Sequence, residues 1–536
     1  MRFQNPILSG FHPDPSICRV GDDFFLVTSS FDYFPGLPLF QSRDLVHWRQ
    51  IGHVLDRSSQ LPGRCPGPSG GIFAPTLRFH EGVFYVITTN IGGGGNFVVT
   101  ASDPAGPWSD PFWIEGAEGI DPSLFFDDGG RCWYTGNGNP VHSLYEGHHT
   151  IWLQEFDIRA MRLVGEKRVL VDGGSDITRE PIWIEGPHLY KKDGHYFLLA
   201  AEGGTGEDHS VVIFRSASIT GPYEPYQGNP ILTNRDLEPA RLDPITCTGH
   251  GDLVQTRTGE WWMVLLACRP DPPGVGNDSN MGRETFLVPV SWQNGWPMTA
   301  DGTGHLAAAY AIPALPAHPW TDGYGLGEMQ WRDDFGGARL RSEWNQIGSP
   351  EETGEVTWHS LTARPGFLRL MPRPQGLTGP DQPSFLGIRQ RHKAFTAETA
   401  LEFRPAAEGD AAGLVMMQNR RGFYALECLQ SGGQIHVRLI KQAPEDEAVP
   451  EVLAEMPLSG GSVSLRVDVQ GGECSFSYAE ADASWRLLRG GEDGTILSTR
   501  RAGGFVGAYV GVYAASQAAG SSGTADFGSF TYHGKE

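Results

Sequence analysis

The chain has 536 residues and a formal net charge of −22. That length exceeds what one ordinary core organises unless the core is a repeat, and that charge excludes the clustered Lys and Arg that nucleic acids or anionic membranes require. Hydrophobic residues at 39% suffice for packed cores, while 71 Gly, 39 Pro and 15 Trp favour many short strands and tight turns over long helices.

The expectation is an all-β chain with a small neutral ligand. The opening Met1-Arg2-Phe3-Gln4-Asn5-Pro6 lacks a basic segment followed by an apolar run and a cleavage site. The longest apolar run, Trp261 to Cys268, is far short of the ~20 residues that span a bilayer. A cytoplasmic location is expected, with no membrane partner. Seven cysteines (Cys18, Cys65, Cys132, Cys247, Cys268, Cys428, Cys474) are scattered without a Cys-x-x-Cys, so they read as small buried hydrophobes rather than a disulfide or zinc framework.

One pattern recurs through the first 300 residues at intervals of roughly fifty to sixty. A short polar opener leads into an apolar strand, a turn and a second, aromatic-rich strand. The openers are Asp14-Pro15-Ser16-Ile17, Ala74-Pro75-Thr76-Leu77, Asp121-Pro122-Ser123-Leu124, Glu185-Gly186-Pro187-His188-Leu189 and His250-Gly251-Asp252-Leu253. Turns follow at Gly21, Gly82, Gly129-Gly130, Gly194 and Gly259, and lead to second strands such as Phe24-Phe25-Leu26-Val27 and Tyr196-Phe197-Leu198-Leu199. Hairpins repeated at this spacing predict propeller blades, and five copies predict a five-bladed β-propeller. Equivalent strand starts face one another around the axis, so Asp14, Ala74, Asp121, Glu185 and His250 should form a ring.

Taken singly, an Asp before Pro is a turn starter. Three acids at one phase of a repeat are harder to explain that way, because crowded like charges shift each other's pKa values and cost stability. Paired carboxylates suit glycoside hydrolysis, with one protonated group donating to the leaving oxygen and an ionised one working on the opposite face of the sugar. A third would help hold the acid's proton. Calcium is the competing use of converging carboxylates, but the openers offer few oxygens. Gly92-Gly93-Gly94-Gly95 lacks the Lys-Ser/Thr of a phosphate loop and reads as a flexible loop between strands.

Three strings, Asn5-Pro6-Ile7-Leu8-Ser9-Gly10-Phe11-His12-Pro13-Asp14-Pro15-Ser16-Ile17, Gly119-Ile120-Asp121-Pro122-Ser123-Leu124-Phe125 and Ile184-Glu185-Gly186-Pro187-His188-Leu189-Tyr190, resemble glycoside hydrolase family 43. The likeness is to its two-domain β-xylosidases and α-L-arabinofuranosidases and covers nearly the whole chain. It implies an inverting hydrolase with Asp14 as general base, Asp121 as pKa modulator and Glu185 as general acid. It further implies that Phe31, Phe73, His250 and Arg283 bind substrate. No cofactor is required, although a calcium ion near His250 at the propeller centre is left open. Phe73 and Thr76 stand where many relatives carry Trp and Asp, which leaves the choice of xylose or arabinose open.

Blade pattern fades after about residue 290. The expected organisation is a propeller over 1–310, an extended linker over 311–330 containing Pro313, Pro316 and Pro319, and a β-sandwich over 331–536, signalled by alternating segments such as Val463-Ser464-Leu465-Arg466-Val467. A carbohydrate-binding module or a structural partner would suit a sandwich. The resemblance implies instead that the loop Gly503-Gly504-Phe505-Val506-Gly507 reaches back to wall the pocket, with Phe505 at its tip. A walled pocket takes chain ends, so single sugars should leave small oligosaccharides from the non-reducing end. Relatives form homodimers or homotetramers. The expected activity is removal of β-D-xylose, with α-L-arabinofuranosidase activity beside it; a dedicated α-L-arabinofuranosidase and a non-catalytic sugar-binding propeller are the alternatives.

Overall fold

The computed structural model describes residues 1–536 apart from 62–68, 240, 272–278, 321–328, 350–357, 446–448, 481–483 and 536. Five four-stranded antiparallel sheets follow one another along the chain, four of them built from strands consecutive in sequence and the first interrupted only by the short strand Tyr33–Phe34, which pairs elsewhere. Blade 1 runs from Ser16–Val20 to Arg49–Leu55, blade 2 from Thr76–His80 to Phe112–Trp113, and blade 3 from Ser123–Phe126 to Arg162–Asp172. Blade 4 runs from Glu185–Lys192 to Glu224–Pro225, and blade 5 from Thr246–Gln255 to Trp296–Thr299. The five-bladed propeller expected from the repeat is the one found.

Strands buried on both faces need apolar neighbours on both sides, and the cores accordingly lie between blades. Phe25, Leu77 and Phe97 join blades 1 and 2; Ile87, Leu124 and Tyr134 join 2 and 3; Ile151, Leu189 and Leu198 join 3 and 4. A larger cluster containing Phe197, Val264, Ile17 and Leu26 joins blades 4, 5 and 1. The amino-terminal segment fastens that last seam. Arg2–Gln4 pairs with Ala309–Ala311, and the Asn5 side chain exchanges two 2.9 Å hydrogen bonds with the backbone of Leu287.

The run of four glycines is no free loop. Residues 91–94 make a hairpin turn between Val83–Asn90 and Gly95–Ala101, and a side chain at Gly94 would strike the Trp113 ring. Of the cysteines, Cys65 lies outside the described residues; the other six are buried free thiols. Within the Pro-rich connection, 321–328 lies outside the described residues, and the part before it is pinned to the propeller. The His318 amide donates to Asp44 at 2.7 Å, and the Arg49 guanidinium lies 3.9 Å from the Trp320 ring centroid. Among the described residues no helix is long and apolar enough to cross a membrane.

The carboxy-terminal unit is a sandwich of an eight-stranded and a six-stranded sheet. Alternation is clean in Ser462–Gln470, whose burial switches at every residue, because one face meets the core and the other meets water. It disappears in Ala411–Asn419, which is buried throughout. There Leu414 and Met416 face the sandwich core, while Val415 and Met417 join Phe11, Phe31 and Tyr33 of the propeller in a second core. The six-stranded sheet is therefore the docking face between domains. Across the seam Tyr33 stacks on Tyr509 with centroids 3.7 Å apart, and Tyr33–Phe34 pairs with Gln346–Ile347. The buried Arg389 donates to the Phe11 carbonyl and to Asn345, both at 2.8 Å. Because Arg389→Ala strips partners from buried acceptors, it should destabilise the protein by about 1–3 kcal/mol, read as a lower thermal unfolding midpoint.

Candidate active site

The channel mouth is built by the first residues of the inner strands. Asp14, Asp121 and His250 adopt left-handed backbone conformations with φ of 53°, 54° and 53°, and the matching position in blade 4 is Gly186 at 57°. This corrects the ring read from the sequence. Glu185 is not the structural counterpart of Asp14 and Asp121 but stands one residue ahead, where the pairing of Glu185–Lys192 with its neighbour slips between Glu185 and His188. The bulge re-aims one side chain without moving the strand. Glycine is needed after it, since a Cβ on Gly186 would sit 3.0 Å from the His250 ring. Ala74, in blade 2, has no left-handed backbone and carries no chemistry.

Asp14 is buried and fully engaged. Ser29 Oγ donates to its Oδ2 at 2.5 Å, the Arg283 guanidinium donates to its Oδ1 at 2.9 Å, and His250 Nδ1 lies 4.0 Å from the same oxygen. Arg283 also donates to Thr205 Oγ1 at 3.0 Å. The neighbouring Glu284 is held by Arg269 at 2.7 Å. Burial, and after it the negative charge of Asp14, pushes the Glu185 carboxyl up to about 7. Burial also raises Asp121 well above the usual carboxyl range, with Glu185 and then Asp14 adding to the effect, while the Gly186 N–H donates toward it. The site thus holds one carboxylate stabilised by a cation and two carboxyl groups that retain proton between them. Burial and Asp14, rather than Asp121, lead in raising Glu185. Burial likewise lowers His250, which favours a neutral ring.

Phe31, Phe73 and Phe505 meet at the mouth. Phe31 lies 5.0 Å from Phe73 and 5.8 Å from Phe505, with which it stacks. The Arg283 guanidinium sits 5.5 Å from the Phe31 centroid and 5.6 Å from that of Phe505. Phe505 does reach the propeller from the sandwich, and hydrogen bonds from both domains fix its loop. Its amide donates to Ser69 Oγ at 2.6 Å, and the buried Gln418 donates to the carbonyls of Gly503 and Val506 at 3.0 and 2.7 Å. Beside it a cavity of about 360 Å³ is lined by residues including Thr205, Glu207, Arg283, Thr499 and Phe505. Sequence reasoning missed Ser29, Ser69, Thr205 and Gln418. No motif marks them, because a lone Ser, Thr or Gln carries no pattern and their partners lie from 15 to 436 positions away.

Below the mouth lies a different polar layer. Asp252 accepts from Ser16 Oγ at 2.7 Å, Arg78 at 2.9 Å and Tyr190 at 2.5 Å, and Arg78 also donates to His188 Nδ1 at 2.9 Å. Burial alone would raise Asp252, but Arg78, His188 and Tyr190 hold it well below the usual range.

A propeller whose mouth buries one cation-paired carboxylate opposite proton-retaining carboxyl groups, under an aromatic wall, defines a glycoside hydrolase. The model for glycosyl hydrolases family 43 matches residues 3–297, and that for the β-xylosidase C-terminal concanavalin A-like domain matches 332–533. The chain belongs to family 43, whose members are inverting glycosidases. It is similar to a xylosidase/arabinosidase of Butyrivibrio fibrisolvens, 41% identical over 98% of both chains. It is also similar to a non-reducing end α-L-arabinofuranosidase of Bacteroides ovatus, 39% identical over 99% of this chain and 94% of the relative. Among solved structures, a xylan β-1,4-xylosidase from Bacillus halodurans matches at TM-score 0.90, 35% identical over 99% of each chain.

The raised Glu185 fixes the sign of one pH effect. A carboxyl whose folded pKa of about 7 exceeds its ordinary 4.5 favours the fold while protonated, and that contribution is lost as pH rises from 4.5 through 7. Glu185→Gln removes the penalty. Its thermal midpoint relative to wild type should therefore be higher at pH 8.5 than at pH 5, measured by differential scanning fluorimetry.

Proposed function

We propose that the protein is an exo-acting β-xylosidase that removes terminal β-D-xylosyl residues from xylooligosaccharides by inversion and also releases α-L-arabinofuranosyl residues. The observation that carries this reading is the unequal surroundings of two buried carboxyl groups on different blades: Asp14, in blade 1, is held by the Arg283 guanidinium of blade 5 at 2.9 Å, whereas burial and the Asp14 charge push Glu185, in blade 4, up to about 7. In the proposed reaction Asp14 takes a proton from a water as that water attacks the anomeric carbon. Glu185 delivers its proton to the glycosidic oxygen on the other face, and the carbon–oxygen bond breaks with inverted configuration. Asp121 acts as modulator by sharing the site's proton with Glu185. Phe31, Phe73, His250, Arg283 and Phe505 bind and enclose the terminal sugar.

A dedicated α-L-arabinofuranosidase is the second reading, favoured by the name of the Bacteroides ovatus relative and by Phe73 in place of a larger ring. The reading includes no cofactor. Calcium on the axis fits poorly, because the Arg78 guanidinium already neutralises Asp252 and engages His188, and a second cation there would meet a positive charge. We further place the enzyme in the cytoplasm, as a homodimer or homotetramer acting on short oligosaccharides.

Turnover of aryl β-xyloside and aryl α-arabinofuranoside by wild type, with loss of at least about 10³-fold in Asp14→Ala and Glu185→Ala, is the expected result; undiminished rates in either variant refute the assignment. NMR of the first product should show the anomer opposite to the substrate's, and excess EDTA should leave the rate intact. In the pH profile of kcat/KM the alkaline limb should fall near 7, and Asp121→Asn should move it downward, since loss of the last proton then no longer leaves two carboxylates side by side. An unmoved limb rules out the modulator role.

A further inference from the structure

Over blades 3 and 4 the rim of the channel carries an exposed aromatic ring that the chemistry above does not use. Residues 173–183 connect the strand Arg162–Asp172 to Glu185–Lys192, and Gly173, Gly174, Glu180 and Trp183 in this connection all have positive φ. For Trp183, at 55°, that conformation is strained, and it persists only because the surroundings over-determine it. The Tyr145 hydroxyl donates to the Pro181 carbonyl at 2.9 Å, the Ser175 amide to Glu202 at 2.7 Å, the Trp183 amide to the Gly147 carbonyl at 2.8 Å and the Gly203 amide to the Ile182 carbonyl at 2.9 Å.

The scaffold presents a ring to solvent. Trp183 is 43% exposed, and its indole N–H has no hydrogen-bond partner among the described residues. His149 packs against it at 4.5 Å between centroids. Asn137 Nδ2 lies 2.8 Å from His149 Nδ1 and donates to the Ile184 carbonyl at 2.9 Å, the residue before Glu185. With Nδ1 accepting from an amide, the His149 proton sits on Nε2. The rim thus offers an apolar face and two N–H donors, fixed to the backbone beside the acid.

We propose that Trp183 and His149 form the subsite for the sugar on the leaving-group side of the scissile bond. Its occupant is a pyranose ring of the departing oligosaccharide, which lays its C–H face on the indole and offers hydroxyls to the two donors. The side follows from chemistry. Glu185 delivers its proton to the leaving oxygen, and Trp183 is two residues from it, whereas Asp14, Arg283 and Phe505 stand on blades 1 and 5 and on the sandwich. This subsite rests on the glycosidase reading above.

The test compares substrates that share the xylosyl group and differ in what leaves: xylobiose and β-xylosyl fluoride. In Trp183→Ala the ratio of kcat/KM for xylobiose to that for the fluoride should fall about tenfold or more, mainly through KM for xylobiose, and Trp183→Phe should restore part of it by keeping a ring without the N–H. Thermal unfolding of both variants checks the fold. A wild-type ratio in Trp183→Ala overturns the subsite while the glycosidase reading stands. A wild-type ratio together with a smaller mass by light scattering makes the exposed ring a subunit contact and overturns it equally. Failure of wild type to cleave any pentoside defeats the functional reading, and the subsite falls with it.

Discussion

The ion pair between Arg283 and Asp14 is the contact on which the site and much of the assembly depend. It joins the last blade to the first, and the same guanidinium touches Thr205, in the loop between the second and third strands of blade 4, and lies over Phe505 from the sandwich. Removing either partner leaves a buried charge uncompensated, which in proteins costs several kcal/mol. Neither residue can be buried until the ring closes, and the Phe505 side of the aromatic cover over Arg283 cannot form until the sandwich docks. Closure, docking and assembly of the acid site are coupled through one guanidinium.

The channel sets two polar layers against each other. In the lower layer Asp252 has a cation and several donors, and its carboxyl is pushed down; in the upper one Asp121 and Glu185 face each other and Asp14 under burial, and are pushed up. The same functional group is driven in opposite directions a few residues apart along inner strands of one repeat. The satisfied layer supplies the rigidity that lets the unsatisfied one exist, since acids that repel each other would move apart on a soft scaffold. Arg78 reaches from blade 2 to Asp252 in blade 5 and His188 in blade 4, and so braces three walls at once.

What the sequence disclosed follows the range of the interactions involved. The blades were legible because each is a local run of hairpins, and the acids because Asp14 and Asp121 recur at one phase of that repeat with Glu185 one residue from it. The one-residue offset of Glu185 shows in the string only as four positions to Leu189 where the other openers take three, and spacing alone does not say which side chain a bulge re-aims, because a bulge is a property of pairing between strands. Ser69 and Gln418 were hidden for another reason: Ser69 meets Phe505 across 436 positions, and a lone serine or glutamine carries no pattern. Trp183 stood beside a motif that was read closely, yet it was silent, since nothing in a one-dimensional string distinguishes a core tryptophan from one held in a left-handed turn at a rim. The six-stranded sheet shows the converse, in that lost alternation in Ala411–Asn419 marks a strand covered on both faces.

The hydrogen bond between the Phe505 amide and Ser69 has a consequence for the chain as it is made. Synthesis runs from the amino terminus, so the ribosome releases five blades, with all three acids, long before residue 505 emerges. During that interval the channel mouth lacks its outer wall, Arg283 lacks the Phe505 half of its aromatic cover, and the face bearing Phe11, Phe31 and Tyr33 is wet. A nascent chain is therefore an open, sticky ring before it is an enclosed pocket. Its most vulnerable surface is the one its own last domain later covers, and the order of synthesis leaves that surface and the acid site open until that domain has folded against them.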